Sequence, residues 1–139
     1  MPSSTQPDGN SFAPRHWLWA WGPAVLYAAT LFTLSSFSVL PEPPMDVSDK
    51  TEHFTAYSGF ALSILWGFSG GRLSAVSWRK GLAAIALASL YGVTDELHQY
   101  FVPGRNCDVH DWLADTTGAA IAVALGVAAT VLLRRSRPD

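Results

Sequence analysis

The chain has 139 residues, of which 14% are charged and 49% are hydrophobic, with a formal net charge of −2. That length holds one domain at most, and the charged fraction is far below the roughly one quarter usual for soluble chains. Together with long uncharged runs this points to a membrane protein. It offers nothing to nucleic acid, and a single cysteine, Cys107, excludes an intrachain disulfide and reads as a small loop residue.

Residues 1–14 are rich in Ser, Pro, Gly, Gln and Asn and read as a disordered tail. Residues 15–135 form the membrane domain, and residues 136–139 a short C-terminal tail. Arg15 and His16 precede the first apolar run, Trp17 to about Val39, which carries no charge and exceeds the roughly 20 residues needed to span a bilayer. A signal peptide has a shorter apolar region and a small-residue cleavage site, so a retained helix is expected. Trp17, Trp19 and Trp21 suit an interfacial belt, and Pro23 lies near the helix start, where proline is tolerated.

Pro41, Pro43 and Pro44 end that run in an acidic loop. Ser48 or Asp49 then caps a second helix reaching about Ser69, whose first turns carry Asp49, Lys50, Glu52 and His53. Its apolar part falls short of 20 residues, so the polar turns are expected to reach the headgroup layer. Gly70 and Gly71 stop it, and a basic loop with Arg72, Arg79 and Lys80 follows. A third helix is expected from about Leu82 to Tyr100, and a fourth from about Asp111 to Leu133. Arg134, Arg135 and Arg137 close the chain. No internal repeat of useful length appears. The predicted fold is therefore all-α, a bundle of four transmembrane helices.

Four spans put both termini on one side. With the amino terminus inside, Arg15, Arg72, Arg79, Lys80, Arg134, Arg135 and Arg137 are cytoplasmic, and only Lys50 and Arg105 are outside. The bias places both termini in the cytoplasm. The polar ends of helices 2, 3 and 4 then converge on the outer side.

A helix turns about 100° per residue, so residues three or four apart share a face. Asp49, His53 and Tyr57 do so on helix 2, with Lys50 close by. Tyr91, Asp95, His98 and Gln99 do so on helix 3, with Glu96 at the edge of the arc. Asp111 and Asp115 share a face of helix 4 with Ala122 and Gly126, and Asp95 shares one with Ala84, Ala88 and Gly92. Small residues at this spacing let membrane helices approach closely, so helices 3 and 4 are expected to pack through the faces carrying Asp95 and Asp115. Asp49 and Asp111 also read as plain N-terminal caps, and Arg105 as a headgroup contact. His98, His110 and Tyr100 read as interfacial side chains. Ionisable groups at the edge of hydrocarbon are costly, which makes a site the default reading of this stretch.

The pattern Asp49-Lys50-x-x-His53-x-x-x-Tyr57, then Asp95-Glu96-x-x-Gln99, then Pro103-Gly104-Arg105, then Asp111-x-x-x-Asp115-x-x-Gly118 resembles the VanZ-like membrane proteins, over roughly residues 34–131. The resemblance implies a small bacterial integral membrane protein of the cytoplasmic membrane, of a family whose namesake is linked to low-level teicoplanin resistance. It names residues rather than a reaction. Two positions depart from the family pattern: Asp115 stands where an asparagine is common, and Asn106 where a small hydroxyl residue is common.

Asp49, Glu52, Asp95, Glu96, Asp108, Asp111 and Asp115 face only Lys50 and Arg105, an excess of five negative charges with histidine neutral. Protonated carboxyls, contact with water or a bound cation can balance it. Carboxylates suit hard ions such as Mg²⁺ or Ca²⁺, with Asp95, Glu96, Asp111 and Asp115 as candidate ligands. Three functions follow. The first is binding of a polar lipid headgroup or envelope precursor by Asp49, Lys50, His53, Tyr57, Asp95, Glu96, Gln99, Arg105, Asp111 and Asp115, with Arg105 and Lys50 on anionic oxygens. The second is hydrolysis or group transfer on a lipid-linked substrate, with Asp95 or Asp115 as base, His53 as its partner and Arg105 stabilising charge. No GxSxG or lipid-phosphatase motif is present. The third is a structural partner subunit whose polar clusters only lock helix ends.

Overall fold

The computed structural model describes residues 14–38 and 48–136. The proline-rich loop, the last residues and nearly all of the expected N-terminal tail lie outside the described residues. So does Val39, the expected end of the first helix. Within them the chain is all-helical, with four α-helices and no strand: α1 (Pro14–Ser35), α2 (Asp49–Phe68), α3 (Trp78–Gln99) and α4 (Val109–Arg135), plus a single 3₁₀ turn at Leu73–Ala75.

The boundaries follow from caps. α1 stops at Ser35, where the hydroxyls of Ser35 and Ser36 both turn back onto the carbonyl of Phe32 and compete with helical propagation. Ser48 caps α2, its side chain accepting from the Thr51 amide. Gly70 and Gly71 end α2 with positive φ angles of 61° and 70°, and the Gly71 amide reaches back to Trp66 O. Only residues without a Cβ adopt two such angles in succession without strain. α3 starts a turn earlier than expected because Ser77 caps it, which draws Arg79 and Lys80 into its first turn. Asp108 caps α4. Asp49 and Asp111 are therefore not the caps of their helices, and their carboxylates are free for other contacts.

The helices run up, down, up, down. The start of α1 meets the end of α2, where Trp66 Nε1 donates to Trp19 O at 3.3 Å and the rings of Trp21 and Phe68 meet edge to face at 5.0 Å. Arg134, at the end of α4, donates to the carbonyls of Leu73 and Val76 in the α2–α3 connection. At the opposite end, Ser36 just past α1 pairs with His98 on α3 at 3.0 Å.

The most extensive contact is between α2 and α4, ahead of α3 with α4. Gly118 explains it. A Cβ there would collide with the backbone of Phe54, and Ser58 Oγ donates to Gly118 O at 3.0 Å. The closest approach of α4 thus goes to α2, while the expected packing of α3 on α4 is also present, with Gly92 against Asp115. α3 meets α4 beside it, with Gly81 against Val123 and Val127. The core is made of Ala24 and Leu31 from α1, Tyr57, Phe60, Ala61, Ile64 and Leu65 from α2, Val76 before α3, Ala84 and Ala88 from α3, and Ala119, Val123 and Val127 from α4.

Around this core the usual sorting of residues is inverted. On α3 the buried residues are Gly81, Ala84, Ala88, Gly92, Asp95, Glu96 and Gln99. The exposed ones include Leu82, Leu87, Leu90, Val93 and Leu97. Polar and small groups lie inside, and large apolar groups outside. Among the described residues two helices, His16–Ser35 and Val109–Arg135, are long and apolar enough to cross a membrane.

Candidate functional site

The starts of α2 and α4 and the end of α3 gather the polar residues at one end of the bundle. Lys50, in the first turn of α2, reaches across to α4. Its ammonium donates to Asp108 Oδ2 at 2.8 Å and to Asp111 Oδ1, and lies 3.8 Å from Asp49 Oδ2. One cation thus ties the cap of α4 to its first turn and to α2. The Asp108 carboxyl is held well below the usual carboxylate range, first by the hydrogen bond from Lys50 and then by those from His110.

One turn deeper, His53 Nδ1 pairs with Asp115 Oδ1 at 2.9 Å, and His53 Nε2 lies 3.9 Å from Asp49 Oδ1. The Asp115 side chain is 0% exposed and that of His53 11%. Gly92 on α3 makes room for this pair, since a Cβ there would sit 3.0 Å from Asp115 Oδ2. Glu96, also from α3, accepts from the Asp108 amide at 2.8 Å and thereby pins the loop before α4.

Asp95 lies at the same end. Its Oδ2 accepts from Tyr57 Oη at 3.4 Å and from Gln99 Nε2 at 3.3 Å. Arg105, in the loop after Gly104, donates to Gln99 Oε1 at 3.0 Å. That neutral amide is the only side-chain hydrogen-bond partner of Arg105 among the described residues, whereas the Lys50 charge is already shared by carboxylates. Three buried carboxylate oxygens have no hydrogen-bond partner among the described residues: Asp95 Oδ1, Glu96 Oε1 and Asp115 Oδ2.

The sequence-predicted residues divide into three linked groups. Lys50, Asp49 and Asp111 form the outer one, His53, Asp115 and Glu96 the inner one, and Tyr57, Asp95, Gln99 and Arg105 the third. Asp49 is the outermost, with its side chain 61% exposed. His98 packs on Phe32, ring centres 4.6 Å apart, and His110 is exposed on Asp108. Two participants escaped the sequence reading. Asp108 was counted only as a charge, though its place just before an apolar helix marks it as a cap and puts it within reach of Lys50. Gly92 was read only as a packing residue.

Among the described residues two sets of side chains bring three metal-ligating atoms within 4.8 Å of one another: Asp49, His53 and Asp111, and His53, Glu96 and Asp115. Cys107 is exposed in the same loop, its thiol pushed up by desolvation and then by the nearby Glu96 charge. Between α2 and α4 runs an open groove of about 340 Å³ lined by Lys50, Thr51, Phe54, Leu113, Ala114 and Thr117.

An all-helical bundle with an apolar outer surface, helices fit to cross a membrane and a carboxylate cluster buried at one end is the class these features define. A family model described as VanZ/LLP1 matches residues 23–132, and the chain belongs to that family. No curated protein and no solved structure matches the chain.

Proposed function

We propose that this chain is a multi-pass protein of the bacterial cytoplasmic membrane in which all four helices span. The start of α1 and the end of α4 lie on the cytoplasmic side, and the carboxylate-rich end faces outward. There it binds the polar headgroup of a lipid or of a lipid-linked envelope precursor, with altered glycopeptide (teicoplanin) susceptibility as the downstream effect. The inverted burial on α3 carries the reading. Leu82, Leu87, Leu90, Val93 and Leu97 face outward while Asp95, Glu96 and Gln99 face inward. That arrangement suits a hydrocarbon solvent and a polar interior. Arg72, Arg79, Lys80, Arg134 and Arg135 gather at one end, which favours that end as the cytoplasmic one.

Arg105 is the cation best placed for an anionic headgroup, because its present partner is a neutral amide that a phosphate oxygen can outcompete. The groove headed by Lys50 and walled by Phe54, Leu113 and Ala114 gives an acyl chain a lateral path. A hydrolytic reading rests on one observation, the His53–Asp115 pair, in which a buried carboxylate orients an imidazole as a general base requires.

The single cysteine provides the test. Cys107 lies in the Arg105 loop and is exposed. A membrane-impermeant maleimide should label it in intact spheroplasts, and R105Q should weaken retention of anionic phospholipid on the detergent-purified protein by about tenfold. Labelling only after lysis would overturn the topology. Unchanged lipid retention would overturn the headgroup role of Arg105.

A further inference from the structure

The acids of the polar end fall into two tiers. Asp108 and Asp111 share the Lys50 ammonium. Among the described residues Asp95, Glu96 and Asp115 have no lysine or arginine on them, and each keeps one buried oxygen without a partner. These residues are 6%, 4% and 0% exposed. A bare carboxylate oxygen in a dry interior is strongly unfavourable unless something positive meets it. Here a carboxylate from α3, Glu96, and one from α4, Asp115, stand beside one imidazole from α2, His53.

The geometry points to a divalent transition-metal site built from His53, Glu96 and Asp115, with Asp95 beside it as a further source of negative charge. One ligand atom from each of the three lies within 4.8 Å of the others. An ion with bonds of about 2.1 Å holds its ligands roughly 3.0–3.4 Å apart, so side-chain rotations of about an ångström close the site. The hydrogen bond between His53 Nδ1 and Asp115 Oδ1 needs a proton between the two atoms. An ion ligated by both displaces that proton, which a neutral imidazole then carries on Nε2. One imidazole with carboxylates favours Mn²⁺ or Zn²⁺ over the all-oxygen ions Mg²⁺ and Ca²⁺.

The outer set of Asp49, His53 and Asp111 is the weaker candidate. The Lys50 ammonium already occupies Asp111 and stands 3.8 Å from Asp49. A cation entering there would meet a cation, and Asp49 is largely in water. The inner site goes beyond the headgroup reading and does not depend on it, because that reading rests on Arg105, which is not among the metal ligands.

The test uses the full chain in detergent, stripped with chelator and dialysed against Mn²⁺ or Zn²⁺ in the presence of excess Mg²⁺, with bound metal counted by mass spectrometry. One ion per chain is expected, retained in D49N and weakened at least about tenfold in H53Q and E96Q. Cu²⁺ loaded as a probe should show hyperfine coupling to one imidazole nitrogen, lost in H53Q. Circular dichroism reports whether each variant stays folded, and D115N supplies the same comparison should H53Q and E96Q unfold. A folded wild-type chain that binds neither ion overturns the site. So does binding lost in D49N but unchanged in E96Q and D115N.

Discussion

The two ends of the bundle handle charge in opposite ways. At the end formed by the α2–α3 connection, the charges are basic, lie near water and satisfy local backbone. Lys80 Nζ donates to Ala75 O at 2.7 Å, and Arg134 donates to the carbonyls of Leu73 and Val76. No ion pair forms there among the described residues, and the one buried unpartnered atom is the neutral hydroxyl of Ser69. At the other end the charges are mostly acidic, include the buried Asp95, Glu96, Asp111 and Asp115, and are linked between helices that are far apart in sequence. Helix termini need closing at both ends, and the basic end shows that neutral carbonyls and exposed side chains suffice. The buried carboxylates exceed that need, which is why they suggest a ligand.

The largest effect should come from the closest backbone contact. Gly118 lies in the acidic half against the Phe54 backbone, which cannot rotate away. Gly67 lies in the basic half against the ring of Trp21, which can. G118A should destabilise by about 3 kcal/mol or more through overpacking, and G67A by about 1 kcal/mol after its gain in helix propensity. Thermal unfolding in detergent checks the order. Equal losses would mean that the two ends pack alike.

A smaller effect should follow from removing one cation at each end. K50M strands Asp111, whose side chain is 6% exposed. Breaking a fully buried pair costs about 3–5 kcal/mol, and the half-exposed ammonium lowers the expectation to about 2 kcal/mol. R134M leaves carbonyls that water can reach and should cost under about 1 kcal/mol. Adding D111N to K50M should restore much of the loss. If K50M and R134M were equally mild, the acidic end would be no more interdependent than the basic one.

The contrast was partly legible in the residues. Long uncharged runs marked the helices, and spacings of three and four grouped Asp49 with His53 and Asp111 with Asp115 on common faces. Helix starts were less legible. Lysine and arginine disfavour a first turn, so Arg79 and Lys80 looked like loop and hid the cap at Ser77. Partner choice was hidden for a different reason. Gly118 advertises a close approach but cannot say to which helix, because that depends on the backbone it meets, here Phe54. Asp49 and Asp111 looked like caps because any acid at a helix start does. Only the geometry of Ser48 and Asp108 frees them for Lys50 and His53.

The smallest effect concerns pH, and it separates the ends by sign. Asp108 is held below its ordinary range by Lys50 first and His110 next, so its folded pKa is lower than its unfolded one. Such a group adds stability that is fully present above the unfolded value, about 3.9, and is lost as pH falls through the folded value. The clamp on α4 should therefore survive mild acid and weaken only below about pH 4. D108N removes the ionisation and should flatten this acid limb while keeping the cap, since asparagine caps as well as aspartate. R134M should leave the limb unchanged, because Arg134 is bonded to carbonyls that do not titrate in this range. Melting curves of the three proteins between neutral and strongly acid pH measure this. An acid limb unaltered in D108N would assign it to other carboxylates of the same end.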